Sequence, residues 1–235
     1  MSQRNEPLSV RTSCAVLIGA LAVGNSLCSP QVFEKNFMAI IKDICQDFNW
    51  EVRRDICGQL MNISEYLQTQ KSFELLYPEL VELIDDEERE VAQTAMLTLR
   101  DLAQLYLVEE NDLEKPDQVD KVRLELLALI KKILSNENYI SKVDMNRCLL
   151  EQAFKIAQML RVPDDDELYA LLMALLQGWM PGPKNRFSAT EYERMHIAMA
   201  LQNVSIHYTH RVVRLFYEPF FKDFIAKELA AEKSL

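Results

Sequence analysis

His207 and His210 stand three residues apart, a spacing that sets two imidazoles on one helical face, where they would hold a metal ion if a further ligand joined them. His196 completes the histidines, and neither a nearby cysteine pair nor a third suitably spaced ligand completes a zinc pattern, so no metal site is expected. The acidic runs Asp85-Asp86-Glu87-Glu88 and Asp164-Asp165-Asp166 offer carboxylates for cation binding or acid–base work. Each precedes an apolar helical stripe, where free backbone amides and the helix dipole favour negative charge, so both read as helix starts. The first also sets up a field that attracts a basic partner. Phosphate-cradling loops are absent, because only 5 glycines occur and none forms a Walker or dinucleotide fingerprint. Serine and histidine occur without the strand–turn–helix setting that exposes a nucleophile. The chain reads as a non-enzyme without a cofactor.

Binding is the remaining class, and the charge narrows it. A net charge of -10 opposes the Lys/Arg-driven neutralisation of phosphates on which nucleic-acid binding depends, and favours a basic protein surface as partner. The apolar stretch 15–23 is too short to span a bilayer and reads as a packed helix, so neither membrane nor signal peptide is expected. Five cysteines without close spacing read as reduced, mostly buried thiols of a cytosolic protein.

The elements that would carry binding residues are helices. Glycine and proline are scarce while Leu, Ala, Glu and Lys abound, which favours long helices over strands. Phe37, Ile41, Ile44 and Cys45 are matched 39 residues later by Leu76, Leu80, Leu83 and Ile84; Asp47 meets Asp86, Val52 meets Val91, and Ile56, Leu60 and Ile63 meet Ala95, Leu99 and Leu102. A period of this size, with one apolar face per helix, is that of an all-α solenoid, a superhelix of antiparallel helix pairs whose apolar sides are buried only against neighbours. The whole chain, 1–235, then forms one array. It opens with the second helix of a partial repeat at about 8–23, where Val10, Cys14, Ile18 and Leu21 lie 42 residues before Val52, Ile56, Leu60 and Ile63, and Arg11 falls on Arg53. Repeats follow at about 31–67, 72–107, 118–160 and 165–208, with a terminal helix at about 211–229. Pro78 falls in the first two turns of a helix expected over 72–84, where it would bend or delay the start. The polar run 109–118 reads as a solvated connector. In the last pair, Leu201-Gln202-Asn203-Val204-Ser205 echoes Leu60-Met61-Asn62-Ile63-Ser64. The loop 178–186, with Pro181, Pro183, Lys184 and Arg186, has two readings, an embellished partner-binding turn or a flexible spacer.

Paired helices of about 40 residues, with Asp near the turn and Val-Arg opening the second helix, resemble HEAT repeats. In that family the Asp and Arg side chains join neighbouring repeats into a ladder along the turns, and Asp47 and Arg53 fit both positions. The ladder is expected to be incomplete, because Ala92 and Ser188 stand in the arginine register of later repeats. The run Asp47-Phe48-Asn49-Trp50-Glu51-Val52-Arg53-Arg54-Asp55-Ile56 resembles the HEAT-repeat scaffold and regulatory subunits of serine/threonine phosphatases, those of the phosphatase 4 type more than the phosphatase 2A scaffold. The resemblance implies a non-catalytic cytoplasmic subunit that holds a phosphatase catalytic subunit of the 4 or 2A type, and other proteins, through its turns. The corresponding residues here are Asp47, Asn49, Trp50, Glu51, Arg53 and Arg54 in one turn and Asp85, Asp86, Glu87, Glu88 and Arg89 in the next. Trp50 is either a large aromatic anchor or a packing residue against the adjacent repeat. The fold by itself also permits a general HEAT adaptor in transport, cytoskeletal or ciliary assembly.

Overall fold

The computed structural model describes residues 6–24, 29–67, 69–108, 116–136 and 143–160, together with residues 167, 168, 170, 222 and 226. Among the described residues there is no strand, and the fold is all-α. The helices are α1 (Leu8–Val23), α2 (Pro30–Cys45), α3 (Trp50–Leu67), α4 (Thr69–Ile84), α5 (Arg89–Val108), α6 (Pro116–Ser135) and α7 (Val143–Leu160). The expected pair at 165–208, the helix at 211–229, the loop 178–186 and all three histidines lie outside the described residues or reach them only at single positions.

Local chemistry sets the helix ends. Ser29 caps α2, its hydroxyl accepting from the Val32 amide at 3.4 Å, and Pro30 takes the first helical position, where no amide bond is lost. Asn49 caps α3 by accepting the Glu51 amide at 2.9 Å. Helix α4 begins at Thr69, three residues before the expected start, so Pro78 lies in its interior and removes one amide without ending the helix. Pro78 is exposed, while Leu76 and Leu80 beside it are fully buried and hold the helix against the core. Helix α6 likewise starts inside the run expected to be connector, with Pro116 as its first residue.

Helices α1, α3, α5 and α7 pack each against the next in that order, and α2, α4 and α6 pack against the helix that follows each of them. The continuous core runs through the described helices, with Phe33, Ile41, Ile56, Leu60, Leu80 and Leu99 fully buried in it. One aromatic cluster occurs twice. Phe33 lies 4.9 Å from Phe37 and 5.3 Å from Tyr66 between ring centroids; forty residues on, Phe73 lies 4.6 Å from Tyr77 and 5.1 Å from Tyr106. In both clusters the third ring meets the first edge-on, the favoured geometry for ring quadrupoles. Polar bonds tie successive units: Thr98 donates to the Cys57 carbonyl at 3.3 Å, Arg100 to Gln152 at 2.8 Å, and the Tyr77 hydroxyl to the Glu125 carbonyl at 3.0 Å.

The contact of α1 with α3 is close enough to require a glycine. A methyl group built on Gly19 would lie 2.8 Å from Gln59 Cβ and nearer still to the end of that side chain. Because Cβ is fixed to the backbone, the two helices would have to separate. Gly19→Ala is expected to cost about 1–3 kcal/mol. Gly58 has open space around it, so Gly58→Ala is expected to stabilise α3 by roughly 0.5–1 kcal/mol through helix propensity alone. Urea denaturation of the two variants checks the opposite signs.

Candidate functional site

The turns 46–49 and 85–88 are built alike. Asp47 Oδ1 accepts the Asn49 amide at 2.8 Å, and Asp86 Oδ1 accepts the Glu88 amide at 2.9 Å, so each aspartate shapes its own turn. Each also receives an arginine from the preceding second helix. Arg11 Nη2 donates to Asp47 Oδ1 at 3.3 Å, and its Nε lies 2.8 Å from Oδ2 as an ion pair whose N–H is not aimed at the oxygen. Arg53 is better aligned, with Nε to Asp86 Oδ2 at 2.6 Å and Nη2 to Oδ1 at 2.7 Å. Its remaining nitrogen, Nη1, donates to the Asp47 carbonyl at 2.7 Å. One guanidinium therefore clamps both turns. The Asp86 hydrogen bond raises the Arg53 pKa and outweighs the opposing effect of burial, so its charge is held firmly.

Ala92 occupies the next arginine register and has no such group to offer. At the far side of the second turn, Lys132 Nζ reaches Asp85 Oδ2 at 2.6 Å, an exposed contact between α6 and the turn.

These bonds sort the expected binding residues. The side chains of Asp47 and Arg11 are only 5% and 6% exposed, and those of Asp86 and Arg53 are 8% and 12% exposed. Asp47, Arg53 and Asp86 come together, but their charges are used between turns, which makes them positioning residues. Asn49 is half-buried and engaged as a cap. Trp50 is half-buried with its ring packed on the core and the Arg54 guanidinium 5.2 Å from the ring centroid, while Arg54 also bonds Asp55. Packing is thus one of its roles. Glu51 and Glu88 are half-buried, whereas Asp85, Glu87 and Arg89 are exposed.

Phe48 was not among the expected binding residues, yet it is 68% exposed on the first turn. The Arg11 guanidinium lies 4.4 Å from its ring centroid, a cation–π contact that holds the ring from below. Its register partner in the second turn is Glu87. The ridge therefore presents an oriented aromatic at one turn and carboxylates at the next. The available signal was the position of Phe48, between the turn-forming Asp47 and the cap Asn49.

No reactive centre accompanies the ridge. Among the described residues no group of three His, Cys, Asp or Glu side chains is placed to hold a metal ion, and no helix is long and apolar enough to cross a membrane. Cys14, Cys45, Cys57 and Cys148 are free thiols. Burial pushes the Cys57 thiol up to about 12, against a smaller opposing effect of the Thr98 hydrogen bond, and burial raises Cys45 well above its ordinary value. Both are poor nucleophiles. Since the folded thiols stay protonated where unfolded ones ionise, the folded chain binds more protons above pH 9 and loses stability as pH rises. For Cys57 the slope is at most about 1.4 kcal/mol per pH unit between the ordinary value of 9.0 and about 12. Denaturation at pH 8 and pH 10 should show the loss, and Cys57→Ala should reduce it.

No protein-family model matches the chain, and no solved structure matches it. Among curated proteins, the human serine/threonine-protein phosphatase 4 regulatory subunit 4 is 34% identical over 73 residues, and its mouse counterpart is 32% identical over 73 residues. The matched stretch is 31% of this chain and 8% of either relative. This chain is thus similar, over part of its length, to a phosphatase regulatory subunit.

Proposed function

We propose that the chain is a HEAT-type α-solenoid that acts as a non-catalytic subunit, binding a serine/threonine phosphatase catalytic subunit through the ridge of turns at 46–54 and 85–89. The observation that carries this reading is the Arg11–Asp47 and Arg53–Asp86 pairing, which sets two successive turns in one geometry and leaves Phe48, Asp85, Glu87 and Arg89 facing solvent. The partial likeness to phosphatase 4 regulatory subunits supplies the partner class. An aromatic beside carboxylates suits a partner surface with an apolar recess and basic surroundings, where the aromatic gives contact area and the charges guide encounter.

Affinity purification of the chain from cells tests the reading: a phosphatase 4 or 2A catalytic subunit should be recovered stoichiometrically. Stable recovery of another complex without either would overturn it. Trp50→Ala is expected to weaken recovery and also to cost about 1–2 kcal/mol of stability, because the half-buried ring loses apolar contact. Melting and recovery measured on the same variant separate the two effects.

A further inference from the structure

We propose that the outer face of α1 is a self-association surface, on which α1 of a second copy of this chain packs antiparallel about a two-fold axis near Leu17. Five of the eight exposed large hydrophobic side chains among the described residues belong to this helix: Leu8, Val10, Val16, Leu17 and Val23. Helical spacing places the last four on one face with the small exposed residues Ser13, Ala20 and Gly24. That face bears no charge, since the helix has one charged residue, Arg11, which is buried against Asp47.

The 42-residue register shows how unusual this face is. Val16, Leu17, Ala20 and Val23 correspond to Gly58, Gln59, Asn62 and Glu65 of α3. Helix α3 receives α1 on one side and nevertheless carries polar groups at these positions, with Gln59 against Gly19. Another helix pair stacked on α1 in the same way would meet a face made for polar contact. Here the polar groups have been replaced by apolar ones, so the cover is drier than the stacking inside the fold.

A second copy of α1 fits that requirement. Its own outer face is uncharged, so closing the contact desolvates no ion, whereas other surfaces of a chain with net charge -10 repel one another. An antiparallel two-fold contact centred near Leu17 sets Val10 opposite Gly24 and Ser13 opposite Ala20, large against small at the ends and close approach between. A contiguous apolar patch of this kind marks an interaction surface, where scattered single residues do not. The inference is independent of the phosphatase reading, because α1's outer face is separate from the turns.

Sedimentation equilibrium of the full chain is the test, between about 1 and 100 µM, with dimers expected at a dissociation constant on the order of micromolar. Leu17→Glu should leave a monomer with an unchanged thermal midpoint, and Leu17→Cys should form a disulfide-linked dimer on mild oxidation. A wild-type monomer across this range overturns the inference. So does a Leu17→Glu variant that still dimerises, or a Leu17→Cys variant that stays unlinked while the wild type is dimeric.

Discussion

Arg53→Ala is expected to lower the unfolding free energy by roughly 3–5 kcal/mol, the cost of leaving a mostly buried carboxylate without its counterion. Two losses combine. Asp86 gives up a bidentate, charge-assisted pair, and the Asp47 carbonyl gives up its donor from the same guanidinium. Lysine at position 53 keeps the charge but cannot serve three acceptors in one plane, so Arg53→Lys should fall between. The double variant Arg53→Ala with Asp86→Ala should cost less than the sum of the single ones, because no orphaned charge remains. Lys42→Ala provides the contrast. Its pair with Glu79 at 3.3 Å is half-exposed at the lysine, and removal should cost no more than about 1 kcal/mol. Urea denaturation of these variants at neutral pH measures all of these differences.

The second large effect lies in the core. Leu60 and Leu99 stand 39 residues apart and are both fully buried, one in α3 and one in α5. Each truncation to alanine should cost about 2–5 kcal/mol, the transfer of the lost methyl groups plus the cavity they leave. If the two helices occupy matching environments, the two losses should agree within about 1 kcal/mol. A large disparity would mean that the shared register hides different packing. Chemical denaturation with a two-state check also shows whether unfolding remains cooperative, since arrays of stacked helix pairs can lose cooperativity when one interface is weakened.

The helical class was legible because apolar residues recur at helical spacing: the stripe of Phe33, Ile41 and Ile44 is the buried side of α2. Two helix starts were not. Positions 69–72 and 116–118 are polar, and a helix that extends one turn beyond its buried stripe leaves no apolar mark there. Pro116 carried the better signal, since proline at the first helical position loses no bond. The arginine pairing was legible only in part. Arg53 lies six residues after Asp47 and 33 before Asp86, and it meets both, one through a backbone carbonyl and the other through a carboxylate. Spacing cannot choose between those atoms; the packing of α3 against its neighbours does. The contrast between Trp50 and Phe48 has the same origin. Both aromatics adjoin one turn, but Trp50 is the first residue of α3 and lies against the core, while Phe48 precedes the cap and projects outward over Arg11.

The central claim is that paired turns held by arginine present a partner-binding ridge whose exposed anchor is Phe48. Calorimetric titration of the purified chain with a purified phosphatase 4 catalytic subunit tests it most directly. The account predicts saturable binding that Phe48→Ala weakens about tenfold or more with no change in thermal midpoint. No binding, or binding that Phe48→Ala leaves untouched, would contradict it.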